Sequence, residues 1–348
     1  TLATVQTLKT YSKYTFDYPY HKAVSVDGQM GMEYPQMAFN PGRPDLPDGG
    51  YSDRMKYRMI KVTIHEVGHN YFPMIINSDE RQWTWMDEGL NSYLEMLAEL
   101  DYDKDFPMRR GLPKNIVDYM NGDQSQIAPI MSKGDNLYSF GNNAYGKPAT
   151  ALWILRETIM GKELFDHAFK TYAQRWMFKH PTPADFFRTM EDASGVDLDW
   201  FWRGWFYTTD VTDIGIKNVK KFYAEYSEQE KVKFIEDSTE GLLFKEESAT
   251  KANKKFFYEI TFDKPGGLVM PIIVEFTYKD GTKSRKTYPA QIWRYNDTEI
   301  TKVINSNKEI SNITIDPDLE TADVDTSNNN WPKKKDSKFS KFKNKIKG

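Results

Sequence analysis

Apolar positions recur along the first two thirds of this chain at helical spacing, then switch to the alternation of strands. The opening stretch "TLATVQTLKTYSKYTF" reads as helix, with Leu2, Val5 and Leu8 on one face. "KAVSV" (22 to 26) alternates like a strand, and "GMEYPQMAF" (31 to 39) reads as extended, with Pro35 suiting an edge strand. The Pro- and Gly-rich "FNPGRPDLPDGGYSD" (39 to 53) is a loop. From Ser52 a helix is predicted with Met55, Met59, Ile60 and Ile64 near one face. A second helix starts near Asp87, an acid suited to a first turn, and carries Leu90, Tyr93, Leu94 and Leu97.

Residues 144 to 208 read as mostly helical, punctuated at Gly161, at "KHPTPAD" (179 to 185) and at Gly195. Beyond Tyr207 the aromatic and β-branched runs "FYEITFDK", "VMPIIVEFTYKDG" and "SRKTYPAQIWRY" predict an all-β region with a turn at Lys279-Asp280-Gly281. The chain ends in a lysine-rich stretch, "KKKDSKFSKFKNKIKG". A disordered, solvated tail is the expectation there, with an acidic surface as the alternative partner. Together these patterns predict an α+β protein with domains at 1–209 and 210–326 and a tail at 327–348.

Composition narrows the function. With 348 residues, more than one domain is expected. A formal net charge of −3 argues against general nucleic-acid affinity, and no apolar run is long enough to span a membrane. There are no cysteines, so neither a disulfide nor a thiolate ligand is available. The opening lacks an initiator methionine and a signal pattern, and reads as a piece of a longer protein. The compartment does not follow from the sequence; an extracytoplasmic one, periplasmic or secreted, is slightly favoured.

The chemistry concentrates in "KVTIHEVGHNYFPMIINSDERQWTWMDEGLNSY" (61 to 93). His65 and His69, at i and i+4, share one helix face and can aim ring nitrogens at one point. Glu66 is rotated about 100° from His65 and is free to act as a general base. This is the HExxH arrangement of zinc peptidases. A further ligand is needed. Metzincins would place glycine and histidine where Phe72 and Ile75 stand, whereas Glu88 opens the second helix. The bland alternative is a pair of core histidines bonded to backbone.

Here the chain resembles the zinc aminopeptidases of the aminopeptidase N type, the gluzincin family that includes leukotriene hydrolase. Their HExxH, eighteen residues and W-L-N-E-G become "HEVGH", eighteen residues and "WMDEG". Asp87 stands where the family has asparagine, and "NYF" follows His69 in place of xWF. The resemblance implies one Zn²⁺ per chain held by His65, His69 and Glu88, with Glu66 as general base. It also matches "MGMEY" to the family's G-x-M-E-N, so that Glu33 grips the substrate's α-amine and the strand through Gly31 and Met32 pairs with the peptide. Met30 and Tyr34 depart from that motif. "AYGKPATALWIL" implies Tyr145 as the oxyanion donor, with Tyr138 in reserve. Glu95, seven residues after Glu88, is the candidate to orient a zinc-bound imidazole.

What the resemblance implies for the whole is a thermolysin-like catalytic domain, largely helical in its second half, followed by a small β-sandwich. "FDHAFKTYAQRWMFKHPTPADFF" and "DLDWFWRGWFYTTDVTDIGI" look like the helical part, and their aromatics read as core. The family's large N-terminal β-domain, which supplies another amine-binding acid, is not in this sequence. The implied activity is removal of N-terminal residues from peptide substrates. An endopeptidase on the same scaffold and a non-catalytic peptide-binding scaffold stand as alternatives.

Overall fold

Helix α1 (Leu2–Tyr14) buries a face that hydropathy alone does not mark. Its inward side is Ala3, Thr4, Thr7, Thr10 and Tyr11, while Leu2 and Val5 are exposed. Two of the buried threonine hydroxyls find partners: Thr7 Oγ1 donates to the Ala3 carbonyl at 2.8 Å and Thr10 Oγ1 to Asp101 Oδ2 at 2.9 Å. This corrects the Leu2, Val5 and Leu8 face. The computed structural model describes residues 1–28, 30–42, 45–226, 233–236 and 253–333. They fall into two units, Thr1–Asp210 and the chain from Val211 onward. The architecture is mixed helix and small sheets.

The first unit carries a three-stranded sheet of β1 (Val24–Gly28), β2 (Met32–Tyr34) and β3 (Met37–Pro41), in the order β1-β3-β2. β1 runs parallel to β3, and β2 pairs antiparallel to β3 with Glu33 opposite Ala38. The single extended segment read over 31–39 is therefore a hairpin. Pro35 and Gln36 make its turn, Gln36 at φ 64°. Helix α2 (Asp53–Gly68) starts where Ser52 Oγ accepts from the Met55 amide at 3.2 Å. Its buried residues are Ile60, Thr63, Ile64 and then every position from His65 to Gly68, whereas Met59 is exposed.

A π-helical turn at Trp85–Gly89 leads into α3 (Leu90–Tyr102), and α4 covers Pro113–Met120. A second π-helical turn at Gly141–Gly146 leads into α5 (Lys147–Ile154). Three more helices follow, α6 (Lys162–Trp176), α7 (Pro183–Ser194) and α8 (Asp199–Tyr207). The breaks fall where the sequence marks them. Thr182 and Asp185 form a capping box on α7, and Gly195 ends it at φ 67°. Phe165, Phe169, Tyr172, Phe186, Trp202 and Trp205 are buried, in keeping with their reading as core, whereas Phe178 and Tyr207 of the same segments are exposed.

The second unit holds β4 (Gly215–Tyr226), β5 (Lys233–Glu236), β6 (Asn253–Asp263), β7 (Ile272–Tyr278), β8 (Lys283–Tyr288), β9 (Glu299–Ser306), β10 (Ile310–Ile315) and β11 (Asn330–Trp331). They form two four-stranded sheets, β5-β4-β6-β9 and β11-β10-β7-β8, with antiparallel pairing throughout. The sheets meet through Tyr258, whose hydroxyl accepts from the Ile310 amide at 2.7 Å. Two readings are corrected here. The run 284–295 is strand only to Tyr288, because Pro289 begins a short 3₁₀ turn over Ala290–Arg294. The β-unit also extends past residue 326, since Asn330–Trp331 pairs with β10. The lysine-rich residues 334–348 lie outside the described residues.

Candidate metal centre

The last turn of α2 is pinned close to α3. A Cβ on Gly68 would come within 2.3 Å of Asn91 Oδ1 and of the Tyr11 hydroxyl, so only glycine allows this approach. Asn91 Nδ2 donates to the His65 carbonyl at 2.8 Å, and Tyr11 donates to Asn91 Oδ1 at 2.7 Å. These bonds fix where α2 presents its histidines to α3 and to the turn before it.

Both imidazoles meet acceptors at Nδ1. His65 Nδ1 lies 2.8 Å from Glu95 Oε2, and His69 Nδ1 lies 2.8 Å from the Phe72 carbonyl. Each Nδ1 therefore carries a proton, and each Nε2 presents a lone pair. The two Nε2 atoms are 3.1 Å apart. Glu88 Oε2 lies 3.1 Å from His65 Nε2 and 3.4 Å from His69 Nε2. Three electron-pair donors thus converge, and these atoms all lie within 4.8 Å of one another. Such a set is complementary to a cation, and two imidazoles with one carboxylate are a donor set suited to a divalent metal.

Without a metal, the same carboxylates favour cationic rings whose Nε2 carries a proton, and a bound cation would displace that proton. Burial acts to lower His65, but Glu88 and Glu95 outweigh it and lift the ring to about 9. Burial acts to raise Glu88, yet the facing imidazoles hold it well below the usual carboxylate range. The pocket calls for positive charge, and a metal at the meeting point of the donors would supply it.

Glu66 stands beside this set without joining it. It is 8% exposed, and burial pushes its carboxyl up to about 7 against the pull of His65 and His69. Gly31 explains its fixed position. A Cβ there would be 2.3 Å from Glu66 Oε1 and 2.9 Å from Val62 Cγ1, so the backbone before β2 lies directly over the carboxylate. Met32 and Glu33 continue into β2. Glu33 reaches the His69 end, where Glu33, His69 and Asp87 also lie within metal-bridging distance of one another.

Tyr145 donates to Glu88 Oε1 at 2.5 Å from its π-helical turn, and its ring stacks on His65 at 5.6 Å. Tyr138 is 79% exposed and makes no such contact. Of the candidate residues, the structure brings together His65, Glu66, His69, Glu88, Tyr145, Glu95, Gly31 and Glu33; Tyr138 stays outside.

Several participants were not singled out from the sequence. Lys61 bridges Glu95 and Glu99, the latter at 3.0 Å. The i, i+4 spacings of Lys61 to His65 and of Glu95 to Glu99 could have flagged both. Asp87 Oδ1 sits 2.9 Å from His69 Nδ1. Arg110 lies over the Tyr145 ring at 4.6 Å, and no local pattern marks it.

Lys147, two residues after Tyr145, is 1% exposed, and among the described residues its ammonium donates only to the Thr208 carbonyl, at 3.4 Å. Burial pulls it down to about 8. Below pH 8 the charged form stays buried, and its cost is fully felt. Above that, the folded state releases the proton before the unfolded chain does, so stability rises until about pH 10.4. Relative to Lys147→Met, the wild-type protein should gain on the order of 3 kcal/mol across that window. Denaturant unfolding of both proteins at pH 7 and pH 10 measures the difference, and parallel pH profiles would contradict it.

A family model, the Peptidase family M1 domain, matches residues 1–205. Glutamyl aminopeptidase of Sus scrofa is 24% identical over 176 residues, 47% of this chain and 19% of that protein. Leucine aminopeptidase 2 of Emericella nidulans is 26% identical over 163 residues, 42% of this chain and 26% of that protein. The crystal structure of Legionella pneumophila aminopeptidase A in complex with aspartic acid covers 92% of this chain at a TM-score of 0.59 and 14% identity. At that identity the likeness is one of fold. This chain covers 34% of that one, and about a fifth to a quarter of the two curated relatives. With the family model spanning 205 of the 348 residues, the chain belongs to peptidase family M1.

Proposed function

We propose that this chain is the catalytic part of a zinc aminopeptidase, its first unit a thermolysin-like domain. The observation that carries the reading is the convergence of His65 Nε2, His69 Nε2 and Glu88 Oε2 beside a Glu66 that stays out of the set. His65, His69 and Glu88 would hold the zinc, which would supply a Lewis acid for the scissile carbonyl and lower the pKa of a water towards ~7. Glu66 is placed to take a proton from the attacking water and to deliver it to the leaving amine. Tyr145 donates from its hydroxyl to the oxyanion, a contact that strengthens as charge develops. Glu33 holds the substrate's amino terminus so that the first peptide bond is the one presented.

The exopeptidase part is tested with substrates that differ only in the amine. A charge-assisted bond from Glu33 is an interaction of roughly 1.5–3 kcal/mol, which favours free over N-acetylated substrates by about 10 to 10²-fold. Glu33→Ala should erase most of that preference and keep the metal. Equal cleavage of acetylated peptides, unchanged by Glu33→Ala, would move the chain to the endopeptidases.

Tyr145→Phe should lower kcat by about 10 to 10³-fold and leave KM nearly unchanged, since its hydroxyl acts mainly in the transition state. Tyr138→Phe serves as the control. A loss confined to Tyr138→Phe would transfer the role.

A further inference from the structure

A cleft of about 260 Å³ opens at the His65 end of the site, walled by Gly31, Val62, Glu66 and Tyr145 together with Arg58, Lys61 and Arg110. A larger cleft of about 740 Å³ shares Arg58, Lys61, Val62 and Arg110 in its wall and adds Arg54 and Arg109. The second cleft therefore continues the first, and cations of this chain line the passage between them.

Not all of this charge is spoken for. Lys61 is taken up by Glu95 and Glu99. Among the described residues, Arg54, Arg58, Arg109 and Arg110 form no ion pair, and only Asp53 and Asp105 in the outer wall oppose them. With Lys61 set against Glu95, four guanidinium groups face the carboxyls of Asp53, Asp105 and Glu66, which leaves the passage net positive beside a metal site that is itself crowded with acids.

Orientation says what reaches it. Glu33 lies with His69 and Asp87, and none of these three lines the basic cleft. A peptide whose amine is held at Glu33, with its first peptide bond over the three ligands, must send its leaving portion past Glu66 and Tyr145 towards the arginines. Arg58 precedes His65 by seven residues, roughly 10 Å along α2. An extended peptide advances about 3.3 Å per residue. Arg58 thus stands about three residues beyond the scissile bond, with Arg110 nearer to it, over the Tyr145 ring at 4.6 Å.

We propose that Arg58, Arg109 and Arg110 form a carboxylate-binding subsite on the leaving-group side. It would take the α-carboxylate of a tetrapeptide, or an acidic side chain at the same place in a longer peptide. The guanidinium fork suits either source. The proposal rests on the aminopeptidase reading and deepens it.

The test uses the zinc-loaded full chain with Glu66→Gln, which blocks turnover, and calorimetric titration with matched peptides. One pair is a tetrapeptide as free acid and as C-terminal amide. The other is a longer amidated peptide with Glu or Gln at the third residue after the first bond. About ten-fold tighter binding of the acid member is expected in at least one pair, declining with salt. A preference in the first pair assigns the α-carboxylate, and one in the second assigns the side chain. Arg58→Gln with Arg109→Gln should bring the ratio near one, and Arg58→Glu with Arg109→Glu should favour the neutral member. Wild-type cleavage of the amidated tetrapeptide establishes the underlying reading separately. If it is cleaved while both binding pairs differ by less than two-fold, the subsite is wrong and the peptidase stands. If it is neither bound nor cleaved, both fall.

Discussion

Zinc-loaded Glu66→Gln should keep its metal and lose two or more orders of magnitude in kcat. The side chain sits one position after His65 on α2, so its carboxylate projects beside the ligand set. The backbone at Gly31 passes over it too closely for even a methyl group, which restricts where the carboxylate can go. Glutamine has the same shape and fills the same space, so packing and ligand positions should persist. What it lacks is the capacity to accept a proton. General-base contributions of ~10² to 10⁴-fold set the scale, a barrier increase of roughly 3 to 5 kcal/mol. Single-turnover rates with elemental analysis on the same sample separate chemistry from metal loss. Turnover within a few-fold of wild type, with metal bound, would mean another group takes the proton.

The parts of this site that the sequence exposes are those written in local helical geometry. His65 and His69 meet because residues four apart on α2 share a face. Glu95 reaches His65 because it stands two turns beyond Glu88 on the same side of the chain's next helix. Other features depend on what lies across the fold. Hydropathy assigns Leu2 and Val5 to the inside of α1, yet the inward face is threonine-rich because α1 packs against α2 and α3 with Tyr11 bonded to Asn91. The turn bearing Glu88 is π-helical rather than a regular helix start. No spacing rule announces that, although such turns recur at functional sites. Arg110 reaches Tyr145 from a loop with no periodicity, so only the folded chain reveals it. The hairpin at Pro35 was hidden for a different reason. Its two strands are three and five residues long, too short for alternation to separate from one bent segment.

Glu88→Ala should abolish stoichiometric zinc binding, and Glu95→Ala should weaken it by roughly 10–100-fold without abolishing it. The two differ in what they remove. Glu88 Oε2 is one of the three converging donors, 3.1 and 3.4 Å from the two Nε2 atoms, so its loss leaves a two-imidazole site. Glu95 touches only the far side of His65, where its 2.8 Å contact holds the ring and keeps the proton on Nδ1. Without it the ring can turn, but all three donors remain. Lys61 keeps Glu99 as a partner at 3.0 Å, so Glu95→Ala does not strand that ammonium without a carboxylate. Competition with a chelating indicator gives the affinities. Thermal unfolding with and without zinc gives an independent reading, because a metal bound only by the folded state stabilises it in proportion to RT ln(1 + [Zn²⁺]/Kd). Wild type should show the largest shift, Glu95→Ala a smaller one and Glu88→Ala none at the same free zinc. If Glu88→Ala keeps one equivalent and an undiminished shift, the third donor lies elsewhere. Glu33 and Asp87, which share His69 with the assigned set, are then the residues to replace next.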